Sequence, residues 1–153
     1  MKQVDLVVQF RNKIWDFELT DQRKVLLVAS EDRHVVQVFE HVLSDSSYEL
    51  LVEKNKLQSV WEILENHVAC IVMDLQPLDE ENAAYINIIK KIRPRLPIVI
   101  ISSEERYSSA TMVEEFGVFY RTFKPLRIEE IEQLMAGVDR IIQRNQDYLI
   151  ASL

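Results

Sequence analysis

The feature that most constrains this chain is a regular alternation between short apolar runs and longer amphipathic stretches, which begins near Lys24. A short, continuously apolar run is typical of a strand covered on both faces, whereas apolar residues three and four apart are typical of a helix. Strands that alternate with helices favour a parallel sheet with helices on both faces. The runs that predict strands are residues 25–29, 48–52, 69–73, 97–101 and 118–123.

The stretches between and after these runs predict helices, so that the whole pattern is an α/β fold. The first helix covers residues 31–43, and the third covers residues 81–92. The fourth covers residues 106–116 and ends at Gly117, a residue that favours a left-handed C-terminal cap. The fifth begins after Pro125. Apolar residues at helical spacing mark the second helix (Leu57, Val60, Trp61, Leu64) and the inward faces of the first (Val35, Val36, Phe39, Val42, Leu43) and third (Tyr85, Ile88, Ile89, Ile92).

Composition and charge exclude several classes of protein. The chain contains 2 glycines, which excludes Gly-rich phosphate loops. Its formal charge of −7 disfavours direct binding to nucleic acid, because an acidic surface repels phosphate groups. No apolar stretch has the length of a membrane span, and the N-terminus has no signal-peptide core. The single cysteine, Cys70, lies in an apolar run and predicts a buried, unreactive thiol, so we expect a cytoplasmic protein.

Polar residues follow three of the predicted strands, at the edge where chemistry gathers in a parallel sheet. They are Asp74 in VMDLQP, Ser102 in LPIVIISS and Lys124 in FKPL. These segments, in this order and each after its own strand, resemble the signatures of response-regulator receiver domains of two-component signalling. The resemblance covers residues 23–144 and implies a flavodoxin-like, five-stranded parallel sheet of order 2-1-3-4-5.

The resemblance also implies roles for these residues. Asp74 stands at the phosphoacceptor position, where a carboxylate acts as the nucleophile. Ser102 and Lys124 stand where a hydroxyl group and an ammonium group contact the phosphoryl group and stabilise its charge. Lys124 precedes a proline, as in the family, where the bond is cis. The resemblance further implies Mg²⁺ at Asp74 and at a backbone carbonyl, here that of Gln76.

The segment after the first strand departs from the family pattern. The family has two adjacent acids there, and their positions in this chain are Ala29 and Ser30. Mg²⁺ takes one or two carboxylates together with water, so we expect weak or absent metal binding. Glu31 and Asp32 follow directly and are possible substitute acids, but they equally fit the first turn of a helix, where the dipole favours negative charge.

The position three residues before Lys124 is aromatic in the family and acts as a switch, but here it is Arg121. A guanidinium group is costly to bury without a partner. We assign the neighbouring aromatic residues, Tyr120 and Phe123, to the other face of the strand. The sequence therefore predicts that the usual aromatic switch is absent.

The two ends of the chain lie outside the resemblance, as an N-terminal extension at 1–22 and a C-terminal helix extension at 145–153. The N-terminal residues fit either a strand or a helix, and they cover the domain itself or contact a partner. The last helix carries an apolar stripe with Asn145 in one position, which suits a paired helix. A homodimer through either extension is therefore open. The stripe is Ile128, Ile131, Met135, Val138, Ile142 and Leu149, of which the first four are predicted to pack on the sheet.

Three functions follow from these observations. The leading prediction is a stand-alone, degenerate receiver that acts through protein–protein contact, without an output domain and without catalysis. The alternative is a true phospho-accepting receiver, switched at Asp74 by a histidine kinase or phosphotransfer protein. A small enzyme on a flavodoxin-like frame is the third.

The histidines, His34, His41 and His67, are too scattered for a metal site, and His34 and His41 are predicted to face solvent.

Overall fold

The computed structural model describes residues 24–75, 80–103 and 117–152. Within these ranges five strands form one parallel sheet in the order β2-β1-β3-β4-β5, which confirms the predicted fold and strand order. The N-terminal extension, Gln76 and the helix predicted at 106–116 lie outside the described residues. The strands are β1 (Lys24–Ala29), β2 (Tyr48–Glu53), β3 (Val68–Asp74), β4 (Ile98–Ser102) and β5 (Tyr120–Phe123).

The register of the sheet brings the carboxyl ends of four strands to one edge. Ala29 at the end of β1 lies opposite Met73, and Asp74 at the end of β3 lies opposite Ile101. Ser102 at the end of β4 lies opposite Phe123 in β5. The residues that follow these strands are therefore neighbours, as expected for a parallel sheet.

Four helices in the described ranges cover the two faces of this sheet. The side chain of Asp32 caps the first helix and that of Asn55 caps the second, each by accepting a backbone N–H bond as short polar side chains commonly do. Gly117 has a φ of 65°, so the left-handed conformation predicted for it is confirmed. The helices are α1 (Arg33–Leu43), α2 (Lys56–Glu65), α3 (Glu80–Ile92) and α4 (Ile128–Ala151).

Each face of the sheet has its own apolar core. On one face, Phe39 of α1 and Val138 of α4 pack with Val72 of the sheet. On the other face, Ile63 of α2 and Ile86 of α3 pack with the sheet. Burying a side chain of this size contributes about 1.5–3 kcal/mol, so both layers contribute strongly to folding.

The sequence identified helix α2 but did not assign its packed face. Of the four apolar residues that mark this helix in the sequence, Val60 is buried, whereas Leu57, Trp61 and Leu64 are exposed by 69%, 54% and 55%. The buried face of α2 also includes Ser59 and Ile63. The spacing of apolar residues therefore predicted the helix but not which of its faces is packed.

Similar differences occur in the other helices. Ile88 of α3 is exposed, and Ile86 is buried in its place. In α4, Ile128 is exposed, whereas Ile131, Met135 and Val138 are buried as predicted. In α1, Val38 is buried although it was not predicted, while Val36 and Val42 are partly buried.

The polar residue in the stripe of α4 has a partner within the domain. The Asn145 side-chain amide donates a hydrogen bond to the carbonyl oxygen of Arg95 at 2.8 Å. The guanidinium carbon of Arg95 lies 3.5 Å from the centre of the Tyr148 ring. The end of α4 is therefore attached to the loop before β4.

Other sequence predictions concern single side chains. Cys70 is fully buried, and burial raises the pKa of its thiol well above the ordinary range, as expected for an unreactive cysteine. His34 and His41 are both exposed on α1, as predicted.

Among the described residues, no helix is both long enough and apolar enough to cross a membrane.

Candidate functional site

Asp74 is the centre of the polar site at the edge of the sheet. It is the last residue of β3, and its side chain is only 9% exposed. The hydroxyl of Ser30, directly after β1, donates a hydrogen bond of 2.7 Å to Asp74 Oδ2. Ser30 itself is buried and is held by a backbone hydrogen bond to Glu53 at the end of β2. Ala29 is buried within β1 and contributes no polar side-chain group.

Lys124 joins two carboxylates at this site. Its ammonium nitrogen lies 2.9 Å from Asp74 Oδ2 and 2.8 Å from Asp32 Oδ2. The backbone N–H of Lys124 donates to the carbonyl oxygen of Ser102 at 3.2 Å, so the segment after β5 is attached to the end of β4. The bond between Lys124 and Pro125 is cis, as the resemblance implied.

Asp32 also lies in this site. The sequence had left open whether it acts there as a substitute acid or only fits the first turn of a helix. Its second oxygen, Oδ1, accepts a hydrogen bond from the backbone N–H of His34 at 2.9 Å and so caps α1. Its own backbone N–H donates to the hydroxyl of Ser30 at 3.0 Å, which closes a short loop between β1 and α1. Asp32 therefore serves as a helix cap and as a partner of Lys124 at once, whereas Glu31 is exposed.

The charges of the site favour its ionised form. The hydrogen bond from Lys124 lowers the pKa of Asp32, although burial opposes the shift. Burial tends to lower the pKa of Lys124, but the hydrogen bonds to Asp32 and Asp74 outweigh it and raise that pKa. Oppositely charged groups at this distance stabilise one another's charged forms.

The two oxygens of Asp74 have different surroundings. Oδ2 accepts hydrogen bonds from Ser30 and Lys124, as described above. Oδ1 is buried and has no hydrogen-bond partner among the described residues. A buried polar atom without a partner is costly, and at a functional site it indicates a place for an ion, a water molecule or a reacting group.

Ser102 lies where the resemblance expects it along the chain, at the carboxyl end of β4. Its side chain is fully buried. The sheet therefore brings Asp74, Ser102 and Lys124 to the same edge, and the shortest contacts of Asp74 are to Ser30 and Lys124. The hydroxyl of Ser30 was not predicted as a contact; its position directly after β1 was the available signal.

Arg121 is buried against an aromatic ring. It is 2% exposed, and its guanidinium carbon lies 4.7 Å from the centre of the Phe123 ring. Placing Phe123 on the opposite face was therefore wrong, because residues two apart in a strand share a face. A cation over an aromatic ring offsets part of the cost of burying the charge. Tyr120, one residue earlier, points to the other face, and its hydroxyl lies 3.5 Å from Glu130 of α4.

Several known proteins with related sequences are named as DNA-binding transcriptional regulators. No family model matches the chain. The protein named DNA-binding transcriptional regulator NtrC from Azospirillum brasilense is 28% identical over 121 residues, which are 78% of this chain and 24% of that protein. Its counterpart from Bradyrhizobium is 26% identical over 107 residues, which are 69% of this chain and 22% of that protein. The chain thus spans about a quarter of the length of these curated relatives.

Solved structures of receiver domains have the same fold. The receiver domain of nitrogen regulatory protein C gives a TM-score of 0.67 at 22% identity and covers 82% of this chain and 98% of that chain. The signal receiver domain of an HD domain-containing protein from Pseudomonas fluorescens Pf-5 gives a TM-score of 0.67 at 16% identity and covers 86% of this chain and 95% of that chain.

The chain thus has the fold of response-regulator receiver domains, it pairs a carboxylate with an ammonium group at the edge of the sheet, and its sequence is similar to that of proteins named as regulators. Within this class, the related sequences bear the names NtrC and, at 21% identity, NtrX-like from Rickettsia bellii.

Proposed function

We propose that this receiver domain signals through protein–protein contact from a resting state that Lys124 closes without a metal ion. The observation that carries the proposal is the position of the Lys124 ammonium group, which is within 2.9 Å of an oxygen of Asp74 and of an oxygen of Asp32. The ammonium supplies the positive charge that two nearby carboxylates require. Ser30 adds a neutral hydrogen bond where the family has an acid.

The site fits Mg²⁺ only at low affinity. Asp74 Oδ1, which is buried without a partner among the described residues, and the carboxylate of Asp32 are the groups that would hold the ion. Two carboxylates are within the range that Mg²⁺ uses. However, Asp32 already caps α1 and both acids share one ammonium group, so an ion has to compete with Lys124. When bound, Mg²⁺ would neutralise charge on a transferring phosphoryl group.

The second candidate function is a phosphorylated switch, and the free oxygen of Asp74 favours it. In that case Oδ1 attacks the phosphorus atom of a phosphohistidine, an O–P bond forms, the N–P bond breaks and the imidazole nitrogen takes up a proton. Lys124 and Ser102 would then contact the phosphoryl oxygens. A histidine kinase or a phosphotransfer protein would supply the phosphoryl group.

One experiment separates these functions. The full chain is incubated with acetyl phosphate and Mg²⁺, or with beryllofluoride and Mg²⁺, and its intact mass and ¹⁹F spectrum are recorded. Asp74→Asn is the matched control, because it keeps the shape and removes the nucleophile. The contact proposal expects no adduct in either protein, whereas an adduct that is lost in Asp74→Asn would replace it with the phosphorylated switch.

The partner of the contact module is proposed to be a signalling protein, either a kinase, a phosphotransfer protein or a downstream effector. The proposed contact surface includes β5 and α4, which lie beside Lys124 in the chain and bear exposed side chains such as Tyr120 and Ile128. The formal charge of −7 argues against nucleic acid as the direct partner. Turnover of a small molecule in the same assay would instead support an enzyme.

A further inference from the structure

Helix α2, which contacts β1, β2 and α3, exposes an apolar stripe. Leu57, Trp61 and Leu64 are spaced by four and three residues, so they share one face of the helix. Their exposed fractions are 69%, 54% and 55%. Single exposed apolar residues are ordinary, but three on one face of one helix form a patch of the kind that marks an interface.

The charges at the two ends of α2 oppose the dipole of the helix itself. Lys54 lies just before the helix and Lys56 is its first residue, whereas Glu62 and Glu65 lie in its last turn. The amino end of a helix favours negative charge and the carboxyl end favours positive charge. This arrangement is therefore unfavourable in an isolated helix, and it becomes favourable beside a helix that runs in the opposite direction.

We propose that this stripe binds the same stripe of a second copy of the chain, with the two α2 helices antiparallel across a twofold axis. Leu57 then packs against Leu64 of the partner subunit, and Trp61 lies close to the axis. The stripe is about 10 Å long at 1.5 Å per residue, so the pairing covers about two turns of each helix. A twofold pairing repeats every contact, because the same surface is used on both subunits.

Charge complementarity is the reason for choosing a second copy as the occupant. Lys54 and Glu65 are both exposed, at opposite ends of the stripe. In the antiparallel pair Lys54 faces Glu65 of the partner subunit, and Glu65 faces Lys54 of the partner subunit. Each basic end therefore meets an acidic end, and the two helix dipoles also run in opposite directions.

The pairing is small, so we expect a weak dimer. Stable complexes bury about 1,200–2,000 Å² in total, and a contact centred on one short helix lies at or below the low end of this range. The dimer is thus expected to form in the micromolar to sub-millimolar range and to exchange rapidly. It does not involve Asp74 or Lys124, so its test is independent of the function proposed above.

The first experiment measures the sedimentation velocity of the full chain over a series of concentrations. Trp61→Glu places a charge at the twofold axis and is expected to raise the dimer dissociation constant at least about tenfold, as truncation of a central aromatic residue commonly does. Leu149→Glu, an exposed apolar position on α4, is the matched control and should dimerise like the wild type. A dimer lost in Leu149→Glu but kept in Trp61→Glu would overturn the proposal and assign the interface to α4.

A charge-reversal pair tests the antiparallel geometry. Lys54→Glu leaves acids at both ends of the stripe and Glu65→Lys leaves bases at both ends, so each variant alone should dimerise several-fold more weakly than the wild type. An equimolar mixture should regain the wild-type affinity, because every end of one variant then faces an opposite charge on the other. A mixture that dimerises no better than its separate components excludes the antiparallel pairing.

Fluorescence of Trp61 distinguishes a second copy from coverage by the chain itself. Trp15→Phe leaves Trp61 as the sole tryptophan, because the chain has 2. The emission of Trp61 is expected to shift to shorter wavelength as the concentration rises. A blue-shifted emission that does not depend on concentration, in a protein that sediments as a monomer, would show that another segment of the same chain covers the stripe and would overturn the proposal.

Discussion

At the residue scale, one short polar side chain has two functions. Asp32 accepts the first hydrogen bond of α1 with Oδ1 and binds the ammonium group of Lys124 with Oδ2. The sequence showed an acid suited to the start of a helix, but the direction of its second oxygen depends on where Lys124 lies, 92 residues later in the chain. Long-range contacts of this kind depend on the register of the sheet, and a local sequence pattern does not predict that register.

The pair formed by Asp32 and Lys124 predicts a defined dependence of stability on pH. The pKa of Asp32 is lowered from 3.8 in the folded chain, so its contribution is present above that value and is lost as the pH falls through the folded pKa. The pKa of Lys124 is raised from 10.5, so its contribution is present below that value and is lost as the pH rises through the folded pKa. Both contributions are therefore complete between about pH 5 and about pH 9.

Asp32→Asn tests this dependence, because asparagine also caps helices well and leaves the cap of α1 in place. The variant is expected to be less stable at neutral pH by about 0–1 kcal/mol, since the pair is partly exposed to solvent. The difference in unfolding free energy from the wild type should shrink as the pH falls below 4. Urea unfolding at a series of pH values measures it, and a difference that stays constant into strong acid would contradict the expectation.

At the element scale, strands were predicted more accurately than the packed faces of helices. Every strand was found within two residues of its predicted position. A strand that is covered on both faces is apolar throughout, so its prediction does not depend on knowing which face is buried. Helices α2 and α3 were also found, but Ile88 of α3 is exposed against expectation, and Trp61, one of the residues that mark α2, is exposed as well. A helix with apolar residues around more than half of its circumference does not specify by itself which side is buried.

Gly117 provides a test of the loop that leads to β5. Its φ of 65° is a conformation that other residues adopt at a cost, and an added Cβ would lie 2.9 Å from Cε of Lys90. Gly117→Ala is therefore expected to destabilise the domain by about 1–2 kcal/mol. Gly117→Asn is the matched control, because asparagine adopts this conformation more readily, and it should cost less. Thermal or urea unfolding ranks the three proteins, and an alanine variant as stable as the wild type would disprove the strain.

At the scale of the whole molecule, the alternation in the sequence predicted the parallel sheet and the edge at which the site lies, and the resemblance to receiver domains implied the strand order. The sheet was predictable because alternating elements with right-handed connections leave few arrangements open. The hydrogen bond of Ser30 to Asp74 and the stacking of Arg121 on Phe123 were not predicted. Both depend on side-chain directions that become defined only when neighbouring strands are packed together.

The stability of the whole domain is predicted to be nearly independent of divalent ions. If Lys124 already balances Asp32 and Asp74, neither a chelator nor millimolar Mg²⁺ should change the unfolding midpoint, because binding stabilises a fold only when the ligand concentration exceeds its dissociation constant. Lys124→Met is the informative variant, since it removes the competing charge and should make the midpoint rise with added Mg²⁺. Differential scanning calorimetry with and without Mg²⁺ measures both effects.

The cation of this site is covalently part of the chain, at the end of β5 and 2.9 Å from Asp74. A dissolved ion occupies its site in proportion to its supply, whereas a tethered amine has the same local concentration in every molecule from the moment of folding. Dilution, phosphate esters and nucleotides that sequester free magnesium leave it in place. The positive charge of such a site is therefore present in every folded molecule and does not depend on the concentration of free ions in the cell.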